Sequence, residues 1–300
     1  MLPLMGLPIR ATSMSNQSTI SVTNFKDLTD ALGNLGQNSL TLSIDSDINV
    51  NTPIIIPEGS NVTITGTNSL LLGTTKAGST DGESANTGVI LVDTDATLTL
   101  TGNVTIDGQK NIVTRNLVAV KGNLLLTENA TIKGTKSTDF IDNNVRLHFL
   151  AAVAVIGEKA SFTMTGGIIE DNTPRGVLVN HASASFTMKE GEIRNNNGAQ
   201  LGDGIGVLIE DGLMTMDGGK IHDNKGPSIG KDLFTNGGGI AAGRYGNGNN
   251  KTKSAVLTMT DGEIYNNTAH RGGGIFIGGT GFLSGGKIYE NDINSGYGLS

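Results

Sequence analysis

Nothing constrains this chain more than a phrase it repeats. "FTMTGGIIEDNT" begins at Phe162, and near copies follow as "FTMKEGEIRNNN" at Phe186, "MTMDGGKIHDNK" at Met214, "LTMTDGEIYNNT" at Leu257 and a worn "FLSGGKIYEND" at Phe282. Aligned on their isoleucines, Ile169, Ile193, Ile221, Ile264 and Ile288, the copies are 24, 28, 43 and 24 residues apart. The longer intervals carry insertions such as "GRYGNGNNKTK" from Gly243 to Lys253, so the underlying unit is about 24 residues.

Inside a unit the apolar residues alternate with polar ones, as Phe162 and Met164 do, which is the period of a half-buried strand. A second apolar run precedes the phrase: "GVLV" at Gly176, "GVLI" at Gly206, "GGGIAA" at Gly237, "GGGIFI" at Gly272. Three short strands joined by Gly- and Asn-rich turns therefore make one unit, and a single unit cannot bury its inner face. Stacking the units in parallel solves this, because equivalent residues then meet at about 4.8 Å and form ladders. The expected ladders are Met164, Met188, Met216 and Met259 ending in Leu283, the five isoleucines, and Asn172, Asn196, Asn224, Asn267 and Asn291. Asparagine suits a sharp bend because it tolerates a left-handed backbone and can bond its neighbour copy. Glycines 167, 191, 219, 262 and 286 mark another bend.

The same grammar extends upstream through "LLLTENATIKG" at Leu124, "LTLTGNVTIDG" at Leu98 and "NVTITG" at Asn61. The expected fold class is all-β: a single-stranded right-handed parallel β-helix of about 8–9 rungs, a rod of about 40 Å. Ahead of the rungs, "TNFKDLTDALGNLG" puts Phe25, Leu28, Ala31, Leu32 and Leu35 on one helical face, with Asn24 as cap and Gly33 or Gly36 as stop. With "STISV" before it, this helix is placed to cover an exposed sheet end. Residues 1–15 are read as the remnant of an export signal, with Ala11 and Ser13 near its cleavage point but no basic leader. Residues 16–40 form the N-terminal cap and 41–300 the coil, which is expected to continue past Ser300.

Composition narrows the function. A net charge of −7 without a Lys/Arg cluster excludes a nucleic-acid partner. No cysteine is present, so disulfides, thiolate metal sites and Cys nucleophiles are excluded. No apolar stretch has the length of a membrane span.

The units "TM-x-G-G-x-I-x-x-N", alternating with "GGGI", resemble bacterial right-handed parallel β-helix proteins of the pectin-lyase-like superfamily, above all adhesin-like surface proteins. The resemblance covers about residues 40–300. It implies a secreted or cell-surface location, but adhesins, stalks, tailspikes and polysaccharide lyases or hydrolases share the fold, so it does not choose among them. "TIDGQKN" at Thr105 is similar to one stretch of pectin hydrolases, whose other motifs are absent, and Asp107-Gly108 reads as a turn.

Period 2 also lists the outward positions around the isoleucine. Before it stand Ile168, Glu192, Lys220, Glu263 and Lys287, alternating in sign over four rungs as a register device. After it stand Glu170, Arg194, His222, Tyr265 and Tyr289, a polar-aromatic stripe of the kind that lies against sugar rings, or else ordinary strand residues. The next position, Asp171, Asn195, Asp223, Asn266 and Glu290, is oxygen-rich and is read as bend chemistry over calcium binding. His148, His181, His222 and His270 have no metal-ligand spacing, and no cofactor is expected. Thr99, Thr163, Thr187, Thr215 and Thr258 stack outward; a single threonine file, interrupted by the longer units, reads as strand propensity and argues against ice binding.

The leading expectation is a structural stalk or adhesin, a monomeric rod that binds a polysaccharide or host glycan along the stripe. The alternative is a polysaccharide lyase or glycoside hydrolase whose acids sit in inserted loops, with Asp139, Asp142, Asp232 and Arg244 as the candidates.

Overall fold

The computed structural model describes residues 19–72, 88–111, 116–136, 150–198, 203–227, 235–243 and 254–294. The fold is all-β and consists mainly of one large, curled, parallel sheet. Every strand pair in it is parallel, and each strand meets the one that occupies the same place in the next repeat.

Three files of strands result, visited in the same order in each repeat. The first, the Thr-Met file, runs Leu126, Met164, Met188, Met216, Met259, Leu283 in direct register. The second carries Ile106, Ile132, Ile169, Ile193, Ile221, Ile264 and Ile288. The third joins Val118, Val153, Val177, Val207, Ile240 and Ile275. Both the methionine and the isoleucine ladder expected from the repeat are present, and the residues that form them are fully buried up to Met259 and Ile264. Phe162 and Phe186 add a stacked pair inside, their ring centroids 4.8 Å apart.

The worn last copy departs from its siblings. Phe282 stands opposite Thr258, an outward position, and is 60% exposed, while Leu283 takes the methionine place.

The helix Phe25–Gly33 (α1) forms as its apolar spacing predicts. Asn24 Oδ1 accepts from the Asp27 N–H at 3.0 Å, and Leu28 and Leu32 are buried in the same core as the strands. Just upstream, Thr19–Val22 pairs in parallel with Ser39–Ile44.

Two bend positions correct or complete the sequence reading. The left-handed backbone belongs to the residue before each ladder asparagine: Asp171, Asn195, Asp223, Asn266 and Glu290 all have φ between 51° and 57°. The asparagine itself turns inward. The acidic and amide side chains of the oxygen-rich column thus sit where the bend demands that backbone, the reading preferred above.

Asn172, Asn196, Asn224 and Asn267 are fully buried and bond one another. Each Oδ1 from Asn196 onward accepts two bonds from the asparagine one repeat earlier, from its Nδ2 at 2.9–3.0 Å and its backbone N–H at 3.0–3.1 Å. Each Nδ2 also reaches an isoleucine carbonyl of the neighbouring repeat, as Asn224 does to Ile193 at 3.0 Å. A buried amide so bonded leaves no donor or acceptor orphaned, the condition for polar burial without penalty.

The glycines that open the third file make room for this column. A Cβ on Gly206 would lie 2.5 Å from the Gly239 carbonyl oxygen and 3.1 Å from Asn224 Nδ2, and Gly176 and Gly239 face Asn196 and Asn267 in the same way.

The threonine file is also more than its sequence suggested. It is continuous: Thr41, Thr63 and Thr99 are in register, Leu125 follows, and Thr163, Thr187, Thr215 and Thr258 continue it. The longer repeats do not interrupt it, because their extra residues lie between strands of different files.

Candidate functional site

The stripe Glu170, Arg194, His222, Tyr265, Tyr289 is a true column, since each residue is the register partner of the next. It continues backward through Lys133 and Asp107. Parallel strands place these side chains directly above one another, so each must settle its charge or its ring face against its neighbours.

The lower part is ionic. Lys133 lies 3.7 Å from Asp107, and Arg194 bonds Glu170 at 3.0 Å through Nε and Glu192 through Nη1. Burial by itself would lower the Arg194 pKa, but the hydrogen bonds and charges of Glu170 and Glu192 raise it on balance, so the guanidinium is firmly charged.

The upper part is aromatic. His222 and Tyr265 stack with centroids 4.6 Å apart and planes 5° from parallel; Tyr265 and Tyr289 follow at 5.1 Å and 13°. Rings piled along the column cover each other's faces and turn their edges outward. A sugar therefore cannot lie flat on His222 or Tyr265; it would meet hydroxyl and ring-edge groups.

His222 is the most enclosed member, its side chain 10% exposed. Its Nδ1 lies 2.6 Å from Asp223 Oδ2, and its Nε2 lies 3.6 Å from Glu192 Oε2. Burial raises the Tyr265 pKa first, with Tyr289 and the surrounding carboxylates adding to it. Tyr289 moves the same way for the same first cause, and its hydroxyl donates to Glu263 at 3.5 Å. Both phenols stay protonated at neutral pH and can donate.

Glu192 and Asp223 are the residues that column-by-column sequence reading left out of the site. Each was assigned to a separate file, yet both converge on one imidazole. The signal was the adjacent His222-Asp223 pair, in which the bend turns the second side chain back toward the first.

The expected alternation at the preceding position is in register throughout, but only Lys287 with Glu263 forms a direct ion pair across repeats, at 3.2 Å. Glu192 turns to Arg194 and His222 instead.

The loop candidates Asp139, Asp142, Asp232 and Arg244 lie outside the described residues, as does His148. Polar groups beside those loops are described. Asp203 Oδ1 accepts both the Asn236 N–H at 2.9 Å and its Nδ2 at 3.0 Å, and Arg175 is fully buried. Among the described residues no group of three His, Asp or Glu side chains is placed to hold a metal ion, and no helix is long and apolar enough to cross a membrane.

Comparison of the chain with protein-family models, with curated proteins and with solved structures finds no match.

Proposed function

We propose that the chain is a right-handed parallel β-helix of about 8–9 rungs, of the pectin-lyase-like kind, with α1 covering its first turn. It serves as a secreted or cell-surface stalk and adhesive module. The observation that carries this reading is the asparagine ladder: a fully buried, self-satisfied amide column whose sole chemistry is to fix one repeat on the next. Most polar positions around it follow the same rule. Glu170 and Arg194 bind each other, the rings bind each other, and the oxygen-rich column makes the bend. Such economy suits a spacer that must be stiff.

The adhesive part of the proposal rests on the column's outer edge. Arg194, Tyr265 and Tyr289 offer donors in one column, Arg194 two repeats from Tyr265 and Tyr289 one repeat further on, suited to the hydroxyls and carboxylates of an extended polysaccharide or host glycan bound along the rod as a monomer. Binding would be by hydrogen bonds and charge, because the faces between His222, Tyr265 and Tyr289 are taken by the stack itself.

The test is a glycan array run beside reducing-sugar and unsaturated-uronide assays on pectin, alginate and glycosaminoglycans. The reading expects binding, weakened by Arg194→Ala with the fold intact, and no turnover. Turnover abolished by Asp139→Ala, Asp142→Ala or Asp232→Ala would overturn it in favour of a lyase or hydrolase.

A further inference from the structure

One group in the outer column has unfinished bonding. The His222 Nε2 atom is sealed from solvent and has no hydrogen-bond partner among the described residues, while Nδ1 of the same ring lies 2.6 Å from Asp223 Oδ2. A carboxylate only accepts, so the proton of the neutral ring sits on Nδ1. Nε2 is then a bare lone pair, and across from it, at 3.6 Å, stands another acceptor, Glu192 Oε2. A second proton on the ring gives each nitrogen a carboxylate to donate to.

The Glu192 oxygen is shared. Oε2, the atom beside His222, also accepts from Arg194 Nη1. Arg194 has a second hold, because its Nε donates to Glu170 Oε2 at 3.0 Å. When Glu192 turns to a protonated His222, the guanidinium keeps that anchor and its Nη1 edge is released. The Arg194 and Glu192 side chains are each 31% exposed, so the exchange takes place where a solute can meet it.

The charges around the ring set the direction of the effect. From its own segment His222 is faced by Asp223, from the strand Val177–Arg194 by Glu192 and Arg194, and from Ala255–Tyr265 by the Tyr265 phenol stacked on it. The adjacent column adds the opposite charges of Lys220 and Glu263, in register with Glu192. With a neutral ring, the three carboxylates of Glu170, Glu192 and Asp223 outnumber the one guanidinium among them, a setting that repels an anion. A charged ring reduces that excess and frees a donor in the same step.

We propose that the stripe is a pH-gated receptor for carboxylated glycans: protonation of His222 draws Glu192 away from Arg194 and presents the Arg194 Nη1 edge to a uronate carboxylate, a charge-assisted pairing. The ligand rests on the glycan reading above; the exchange of Glu192 is a property of the chain alone. Arg194 touches the ligand, and His222 and Glu192 are positioning residues. Imidazole is the side chain that ordinarily changes charge between about pH 8 and about pH 5, so the gate opens as pH falls.

The test has two readouts on the purified full chain. Side-chain nitrogen NMR follows the His222 ring and the Arg194 guanidinium from about pH 8 to about pH 5. Rotation of the Arg194 Nη groups, slow while Glu192 grips Nη1, is expected to speed up with the same midpoint as the His222 ring, and to stay slow in His222→Gln. Calorimetry then measures polygalacturonate binding at constant ionic strength at both ends of the range. The wild type is expected to bind at least about fivefold more tightly at the acid end. His222→Gln is expected to bind weakly at both ends, and Glu192→Gln, whose Arg194 has lost the competing carboxylate, tightly at both. Circular dichroism and Tm check each variant; should His222→Gln fail to fold, Glu192→Gln and the wild-type NMR decide. Arg194 rotation indifferent to the His222 ring overturns the gate, as does a pH response kept by folded His222→Gln. A shared midpoint without polygalacturonate binding at either end overturns the glycan reading and the receptor role with it, while the Glu192 exchange stands.

Discussion

Two columns of this molecule stand two residues apart and obey opposite rules. Asn172 to Asn291 points inward and repeats one residue without variation; Glu170 to Tyr289 points outward and changes chemistry at nearly every step. Inside, the amides are sealed from solvent, so each group must be answered by an identical neighbour at an identical height, and one substitution leaves several groups unanswered. Outside, solvent supplies any missing partner, so acid, base and ring can succeed one another. The inner column fixes register, and the outer column is free to carry whatever surface the protein needs.

The largest test of that contrast is Asn224→Ala. It deprives the Asn196 N–H and Nδ2 of their shared acceptor and the Ile193 carbonyl of a donor. With buried orphans at about 1–3 kcal/mol each, a loss of about 2–5 kcal/mol in denaturant unfolding is expected. Asn291→Ala, at the half-exposed end of the same column, should lose visibly less; equal losses would erase the distinction between inner and outer columns.

Next in size is Gly206→Ala. The new Cβ meets backbone at 2.5 Å, so the repeat must shift against the ladder, at about 1–3 kcal/mol. Unchanged stability would show that the ladder tolerates displacement and does not set register.

Tyr265→Ala comes third. It removes two ring contacts on the outside, worth about 0.5–1.5 kcal/mol each at most in such pairs and less where exposed. A loss matching that of Asn224→Ala would mean that the outer column also determines the stack.

The smallest effect is on pH dependence. The Tyr265 pKa is raised above 10.0 in the folded chain, burial being the first cause. The folded state therefore keeps a proton that the unfolded chain releases, so this contribution is intact below the ordinary tyrosine pKa and is lost as pH rises through the folded value. Stability curves above about pH 9 should fall less steeply in Tyr265→Phe than in the wild type.

Most of the fold was legible because a period-2 alternation inside a regular repeat leaves few alternatives. Met164 over Met188 and Ile193 over Ile221 followed from alignment alone, as did the helix from its apolar face and its Asn24 cap. The site was less legible. Residues of the stripe could be placed in one column, but whether rings stack on each other or face outward depends on χ angles that spacing does not fix, and the convergence of Glu192 and Asp223 on His222 joins two columns that were read separately.

The sequence by itself determined which residues are equivalent, and hence the ladders, because equivalence is a property of the repeat. Only the tertiary structure decided which backbone turns left-handed, which way each amide points, and that the glycine before "VLV" is space kept for asparagine. Those outcomes depend on atoms one repeat away in space but some 24 or more residues away in the chain, at distances where a single Cβ decides the fit.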